Sequence, residues 1–475
     1  MRMTGPFTTR CEQAVADKRL RKTLKNAARI FRQSRADGMD TLPDPEAARD
    51  RAEEVKRRCL ENLPAILEML EENVIAAGGH VHWARTGAEA NAIVADIARA
   101  EGVKAVVKGK SMVTEETGLN HLLESQGIEV NETDLGEWIV QLADEKPSHI
   151  VGPALHKNRH EVSELFHEHL GEPITDDIPT LTLMARRALR EKFLEADMGI
   201  TGANMLVAET GTVVLIENEG NIRMSTTLPR VHVAVASLEK AVQSMEDMAA
   251  ILAVLPRSCT GQVLSSYTSL ITGPRREDET DGAEVFHLVL LDNGRSKVLA
   301  DPEMRPILNC IRCGACFNFC PAYIRVGGLA FPGTYSGPMG SILAPLLAEA
   351  QGVDNPYAQF PYFCTTCGAC RDACPVRIDH PRLLMKLRAR HADTQSPLPP
   401  LAAAAFARLT ASPRAWKAAT TVARTLDPNL KLARRMPGIG KALSLWARKR
   451  RLPSFKEPFS KTWKPGKTTR QGGRS

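Results

Sequence analysis

Long apolar runs are missing from this 475-residue chain: stretches such as MAAILAVLP at 248–256 fall well short of the roughly 18 residues that a membrane-crossing helix needs. The opening residues, MRMTGPFTTRCEQAV, hold no apolar stretch behind their early arginine, so no secretory signal is expected. No G-x-G-x-x-G follows a strand-like segment with an acid about twenty residues further on, which excludes the nicotinamide and flavin fingerprint. Aromatic residues make up only 5% of the chain, and no aromatic platform for single-stranded nucleic acid accompanies its basic residues. Cysteine is also scarce for three hundred residues. Of eleven, only Cys11, Cys59 and Cys259 lie outside two short runs further on. Such clustering in a chain without a signal points to metal rather than to disulfides.

The remaining composition, 43% hydrophobic and 25% charged, is that of an ordinary globular protein. Its length suggests about three units. Charge is unevenly placed: residues 431–475 carry fourteen Lys or Arg against the single acid Glu457, so this tail is +13 and the rest of the +7 chain is −6. The tail is expected to be solvated. It is also a candidate contact for anionic lipid at the inner face of a membrane, while nucleic acid is not expected. The protein is expected to be cytoplasmic.

Residues 1–75 carry a helical pattern. Asp44-Pro45-Glu46 is a start signal, with an aspartate cap, a proline in the first helical position and an acid in the first turn. The stripe Ala47, Val55, Cys59, Leu60, Leu63, Ile66 and Leu67 is predicted to pack on the segments C-terminal to it. Between Gly78 and about residue 240, the runs HVHWA, VKAVVKG, IEVNET, HIVGPAL, DMGITGA and VHVAVASL are predicted strands. They alternate with helical stretches such as 89–102 and 135–145, which argues an α/β domain with a largely parallel sheet. LVAETGTVVLIENEG at 206–220 is a predicted hairpin, and GAEVFHLVLL at 282–291 one more strand. The expected division is 1–75 helical, 76–300 α/β, 301–395 a cysteine-bearing helical module, and 396–475 an Ala-rich helical segment ending in the basic tail.

The two cysteine runs are CIRCGACFNFCP at 310–321 and CTTCGACRDACP at 364–375, each of the form C-x2-C-x2-C-x3-C-P. Two-residue gaps let one tight loop aim three thiolates at three corners of a cubane, and the fourth cysteine points away. In two-cluster ferredoxins with this spacing the fourth cysteine ligates the other cluster. One 4Fe-4S cluster is therefore expected on Cys310, Cys313, Cys316 and Cys374, and a second on Cys364, Cys367, Cys370 and Cys320. Zinc is the competing reading, but tetrahedral zinc sites do not require a third cysteine two residues on or a fourth followed by proline. A radical enzyme would carry one three-cysteine run with an open iron, whereas here every iron has a thiolate. Saturated clusters carry electrons. The helical pattern SILAPLLAEAQ between the runs points to a helical ferredoxin module.

Other candidates are weaker. Lys108-Gly109-Lys110-Ser111 resembles the end of a phosphate loop, but the required leading glycine is Lys104, so a solvated strand-to-helix turn is expected instead. His156, His160, His167 and His169 crowd one region without HExxH and are expected on a polar helix face. Glu209 and Glu217 flank the predicted hairpin with no base to pair them. Cys59 and Cys259 are expected to be buried apolar cysteines.

KGKSMVTEE (108–116), NETDLGEWI (131–139), PSHIVGPALHKNR (147–159), ETGTVVLIENEGN (209–221), ITGPRREDETDGAEVFHLVLLDNGRS (271–296) and GPMGSILAPLL (337–347), in this order with both cysteine runs, resemble the lactate-utilisation protein B family across nearly the whole chain. The resemblance implies a lactate-utilisation (LUD) domain, similar in fold to sugar-phosphate isomerases and CoA transferases, then a helical ferredoxin domain and a family-specific C-terminal region. It implies an iron-sulfur subunit that carries electrons in a bacterial system oxidising L-lactate to pyruvate. A cysteine-rich subunit, a small LUD-domain subunit and an electron acceptor are the implied partners. The ligand roles carry over to all eight cysteines, while no catalytic residue carries over to the α/β domain. Two other readings stand beside it: that the α/β domain itself binds and oxidises a 2-hydroxy acid with the clusters as its outlet, and that the chain is a redox-responsive scaffold.

Overall fold

The structure, a computed structural model, describes residues 3–392 and 400–425. Residues 1–391 form one compact unit and 392–475 a second. In the second, the described residues form two helices, Pro400–Ala411 and Pro413–Thr425, that pack on each other. The basic tail at 431–475 lies outside the described residues.

The first unit begins with helices. Asp44 caps the helix Pro45–Glu61 by accepting the Ala47 N–H at 2.9 Å, as its sequence predicts. The predicted stripe does not lie on one helix, because Pro64, which lacks an N–H, starts a second helix, Leu63–Ala76. Ala47 faces solvent, whereas the stripe's other members are buried.

Ten strands follow: β1 His80–Ala84, β2 Ala105–Lys108, β3 Glu129–Glu132, β4 Met198–Thr201, β5 Met205–Val207, β6 Thr212–Glu217, β7 Val231–Ser237, β8 Ala241–Val242, β9 Tyr267–Ile271 and β10 Val285–Leu291. Six of them form a sheet in the order β1-β10-β7-β4-β2-β3, every neighbouring pair parallel. Strand β7 is buried along its whole length, as expected of a parallel strand covered on both faces. The chain leaves β2 to place β3 on one side and returns to place β4 on the other, so the order reverses at β2. In such sheets the crevice beyond the carboxyl ends at the reversal is where ligands bind.

The predicted strand HIVGPAL is absent. Pro153 has no N–H, the His149 ring Nδ1 takes the N–H groups of Val151 and Gly152 at 3.1 and 3.3 Å, and Ser148 N–H turns back to Pro153 O at 2.8 Å. The segment is a loop pinned to the cysteine region, since Ser148 O accepts from Tyr323 Oη at 2.9 Å and from Gly328 N at 3.1 Å.

The remaining strands make a second sheet, β8-β5-β6-β9. Its β5–β6 pair is the predicted hairpin. Gly211 sits in the turn at φ +65°, and a Cβ there would lie 2.6 Å from the backbone of Asn73 and Val74. Both the backbone conformation and the close approach demand glycine. Gly211→Val is therefore expected to lower stability by at least about 1–3 kcal/mol, read from the shift of the urea midpoint. An unchanged midpoint would refute this account of the turn.

Apolar packing does not stop at the last strand. One core runs from Phe7 and Leu24 through Leu206 and Leu288 to Met339, Leu343 and Leu387. The N-terminal helix Lys18–Met39 bridges the two regions, packing on Met245–Cys259 and on Ala315–Phe319.

Candidate metal centres and the adjoining cleft

The repeated sequence is a repeated local structure. In each run the residue before the second cysteine takes a left-handed backbone, Arg312 at φ 61° and Thr366 at φ 56°, and the glycine after that cysteine does the same, Gly314 at 73° and Gly368 at 84°. A one-turn helix then follows, Ala315–Phe319 and Ala369–Ala373, and the two helices pack on each other. The left-handed pair curls the loop so that three thiols face one side.

Two cavities result. One is walled by Cys310, Cys313, Cys316 and Cys374, with Ile150, Arg312, Phe317, Met339 and His380 around them. The other is walled by Cys320, Cys364, Cys367 and Cys370, with Tyr323, Phe363 and Leu384. Among the described residues no three His, Cys, Asp or Glu are grouped to hold a metal ion. Each set of thiols borders a cavity instead.

Burial differs between the two sets. Cys313, Cys316, Cys370 and Cys374 are buried, whereas Cys367 is exposed beside Thr365 and Thr366. Burial first, and then the neighbouring sulfurs Cys320, Cys364 and Cys367, push the Cys370 thiol up to about 12. Cys374 is pushed up to about 11, chiefly by burial and then by Cys310. Backbone N–H groups point at three of the sulfurs: Tyr323 N at 3.4 Å from Cys320 Sγ, Ile378 N at 3.4 Å from Cys374 Sγ, and Thr366 N at 3.2 Å from Cys364 Sγ.

The N-terminal helices brace the second run. Arg49 donates to Cys374 O at 2.9 Å and to Asp372 O at 2.8 Å, and Arg35 donates to Ala373 O at 3.0 Å. Arg377 pairs with Glu46 and Asp50, each at 2.7 Å.

A cleft of about 310 Å³ lies beyond the carboxyl ends of β2, β4 and β7. Lys110 and Ser111 follow β2, Ala203 and Asn204 follow β4, and Lys240 follows β7. Arg312, Tyr335 and Ile150 complete this part of the wall, and Arg312 and Ile150 also border the cavity of Cys310 and Cys313.

Behind the cleft is a buried network of charges. Arg295 pairs with Glu116 at 2.7 Å and with Glu239 at 3.0 Å, and Glu239 pairs with Arg312 at 3.1 Å. Tyr335 Oη donates to Glu116, its ring lies 5.3 Å below the Arg312 guanidinium, and Lys56 Nζ donates to Glu239 O at 2.5 Å. Burial would raise Glu239, but Arg295 first, then Arg312 and Lys240, bring it down to about 2. Lys240 lines the cleft, and burial first and then the charge of Arg312, opposed by Glu239 and Cys310, lower it to about 7.

Several residues singled out in the sequence take other roles. Lys108-Gly109-Lys110-Ser111 is a strand-to-helix turn but not a solvated one: Lys108 is buried against Glu132 at 2.7 Å, Lys110 is partly buried and pairs with Glu137 at 3.0 Å, and Ser111 caps the helix Met112–Thr117. Glu209 accepts the Met245 N–H at 2.6 Å, and Glu217 accepts those of Ile222 and Arg223 at 2.7 Å, so each holds a helix start. Only Glu217 reaches the cleft. His156 is not on the polar helix face; it is buried before the helix Arg159–Leu170, 2.6 Å from Glu145, while His160 and His167 point elsewhere. Cys59 is buried as expected, but Cys259 is only partly buried and lines the cleft. Glu116, Lys240, Glu239, Arg295 and Arg312 escaped sequence reasoning. The available signal was Glu239-Lys240 one residue after the largely apolar run of β7.

Two known families match separate parts of the chain. The LUD domain family matches residues 67–291 and the 4Fe-4S dicluster domain family matches residues 306–378. The fold and the thiol cavities thus define an α/β protein joined to an iron-sulfur module. Lactate utilization protein B of Bacillus velezensis is 43% identical over 87% of each chain, and that of Bacillus subtilis 45% identical over 81% of this chain and 80% of its own. An uncharacterized electron transport protein of Escherichia coli K12, YkgF, is 45% identical over 80% of this chain and 79% of its own. The chain belongs to the lactate utilization protein B family. A crystal structure of a DUF162 family protein from Deinococcus radiodurans aligns over 48% of this chain and 98% of its own, at 14% identity and a TM-score of 0.27.

Proposed function

We propose that this chain is the iron-sulfur electron-transfer subunit of a complex that oxidises L-lactate to pyruvate. Cys310, Cys313, Cys316 and Cys374 hold one 4Fe-4S cluster, and Cys364, Cys367, Cys370 and Cys320 a second. The observation that carries this reading is the pair of cavities, each walled by three thiols of one run and the fourth of the other. Four cysteines with no other metal ligand beside the second set, and only His380 beside the first, suit the sulfur-only coordination of such clusters. When bound, the clusters supply reversible one-electron storage.

The chain's own residues do the rest. The left-handed loop residues orient the thiols, the N–H groups of Tyr323, Ile378 and Thr366 withdraw charge from sulfur, and the apolar walls exclude water. Exposed Thr365, Thr366 and Cys367 bring the second centre to the surface, where a partner can exchange electrons. On this reading residues 1–75 are a bracing helical segment, 76–300 the α/β domain, 301–395 the two-cluster module and 396–475 the C-terminal region. A cysteine-rich subunit, a small LUD-domain subunit and an electron acceptor are the partners, with the basic tail available to anionic lipid. Among the described residues no helix is long and apolar enough to cross a membrane.

A second reading is favoured by one observation: the cleft borders the first thiol cavity through Arg312 and Ile150, so the α/β domain is placed to hold a 2-hydroxy acid beside a cluster. Electron paramagnetic resonance of the anaerobic chain alone separates the two. Under the relay reading dithionite produces reduced-cluster signals and L-lactate produces none. Signals with L-lactate alone transfer the chemistry to the α/β domain, and no signal with dithionite refutes both.

A further inference from the structure

The buried network behind the cleft does not balance its own charge. Lys56, Lys240, Arg295 and Arg312 are set against two carboxylates, Glu116 and Glu239. Asp247, beside Cys59, is taken by Arg58. Lys56 is 3% exposed, Lys240 9% and Arg295 1%, so water does not make up the difference. Buried cations in excess are costly unless an anion stands beside them.

That anion belongs to the cysteine side. Arg312 lies between Cys310 and Cys313 in the chain and walls their cavity. The Cys310 sulfur, when ionised, favours the charged forms of Lys56, Lys240 and Arg312 alike. Cys313 and Cys374 do the same for Arg35, against burial and the neighbouring Arg49. A cluster on four thiolates carries net negative charge, because the thiolates outweigh its iron-sulfide core, and reduction adds one negative charge more. Cations fixed beside it therefore favour the reduced form. The other cavity differs. Among the described residues its walls carry no charged side chain, and Tyr323, Ser341, Phe363, Thr365 and Leu384 stand beside its thiols. Arg388 donates to the Cys364 carbonyl, while Arg371 is exposed and paired with Asp372 at 3.0 Å.

We propose that Lys56, Lys240 and Arg312 are the countercharge of the first centre and set its potential above that of the second, so that a single electron on the chain rests at Cys310, Cys313, Cys316 and Cys374. Burial by itself gives the opposite order, because added charge is disfavoured away from water. The proposal rests on the reading that the eight cysteines hold two clusters, and it adds which of the two is the better acceptor and which residues make it so. It also gives the α/β domain a part in the electron carrier. Lys240 follows β7 and Lys56 lies on the helix Pro45–Glu61, so the cysteine module by itself lacks both charges.

The test is a stepwise reductive titration of the full cluster-loaded chain, with dithionite supplying one electron per cluster, followed by electron paramagnetic resonance. The signal missing from the double variant Cys313→Ala with Cys374→Ala identifies the first centre, and it is expected to appear before that of the second. Lys240→Met is expected to shift the reduced-to-oxidised ratio of the first centre about tenfold towards oxidised at a given potential, which is about 59 mV for one electron, and to leave the second unmoved. Lys240→Arg keeps the charge and should restore the ratio, which a merely structural role does not predict. Lys56→Met serves as a second variant, and where neither retains its iron and sulfide, the order of reduction in the unaltered chain decides. The second centre reducing first, a ratio unmoved by Lys240→Met, or an equal shift of both centres would each overturn the proposal. Two reducible clusters with any of these results remove this proposal and leave the electron carrier. Absence of any signal with dithionite, or loss of both signals from the double variant, removes the cluster assignment and this proposal with it.

Discussion

Replacing Cys374 with alanine is expected to empty the centre walled by Cys310, Cys313 and Cys316, although Cys374 belongs to the other run. Its sulfur faces that cavity, receives the Ile378 N–H at 3.4 Å, and is held there by Arg49 on its own carbonyl. Iron and acid-labile sulfide should fall by about half, from roughly eight to roughly four per chain. Halving alone does not prove the crossed pairing, because a ligand lost from either centre has the same effect. Double variants do. Cys313→Ala with Cys374→Ala removes two ligands of one centre and should still leave about half the iron, whereas Cys367→Ala with Cys374→Ala strikes both and should leave almost none. The reverse result would show that each run completes its own cluster.

Arg295→Met is expected to cost about 3–5 kcal/mol, because it leaves Glu116 and Glu239 as buried carboxylates that have lost their shared cation. Arg295 is 1% exposed, so solvent cannot take over the role. The loss should appear as a large downward shift of the urea midpoint of the cluster-loaded chain. Combining Arg295→Met with Glu116→Gln should recover part of it, because one stranded charge is then removed. A midpoint shift worth less than about 1 kcal/mol would mean that the network is hydrated rather than buried. Because Glu239 also anchors Arg312 inside the first cysteine run, Arg295→Met should reduce cluster retention as well as stability.

How much of the fold was legible beforehand depended on the distance over which each feature is written. The strands at 80–84, 105–108, 129–132, 198–201, 231–237 and 285–291 were predicted from apolar runs and their turn residues, and all six belong to the parallel sheet. HIVGPAL has the same apolar look. It failed as a strand because a histidine side chain and a proline, not a neighbouring strand, decide where its backbone hydrogen bonds go. β8 and β9 passed unnoticed, being a two-residue strand and one whose residues are mostly exposed. The lysines of KGKS were expected in solvent, whereas Lys108 is buried and Lys110 partly so, because their partners Glu132 and Glu137 come from the next strand and the helix after it.

By itself the sequence determined the six strands of the parallel sheet, the α/β class and the doubled cysteine module, since each is set by spacings within a few residues along one loop, strand or helix turn. The tertiary structure alone decided what those elements enclose. Glu116, Glu239, Arg295 and Arg312 span about two hundred residues of chain and meet in one buried network, and the cleft combines Lys240 with a residue of the cysteine run. No local pattern encodes that meeting, because burying a charge is tolerable only when a distant segment supplies its counterion, and only the packed chain brings the two together.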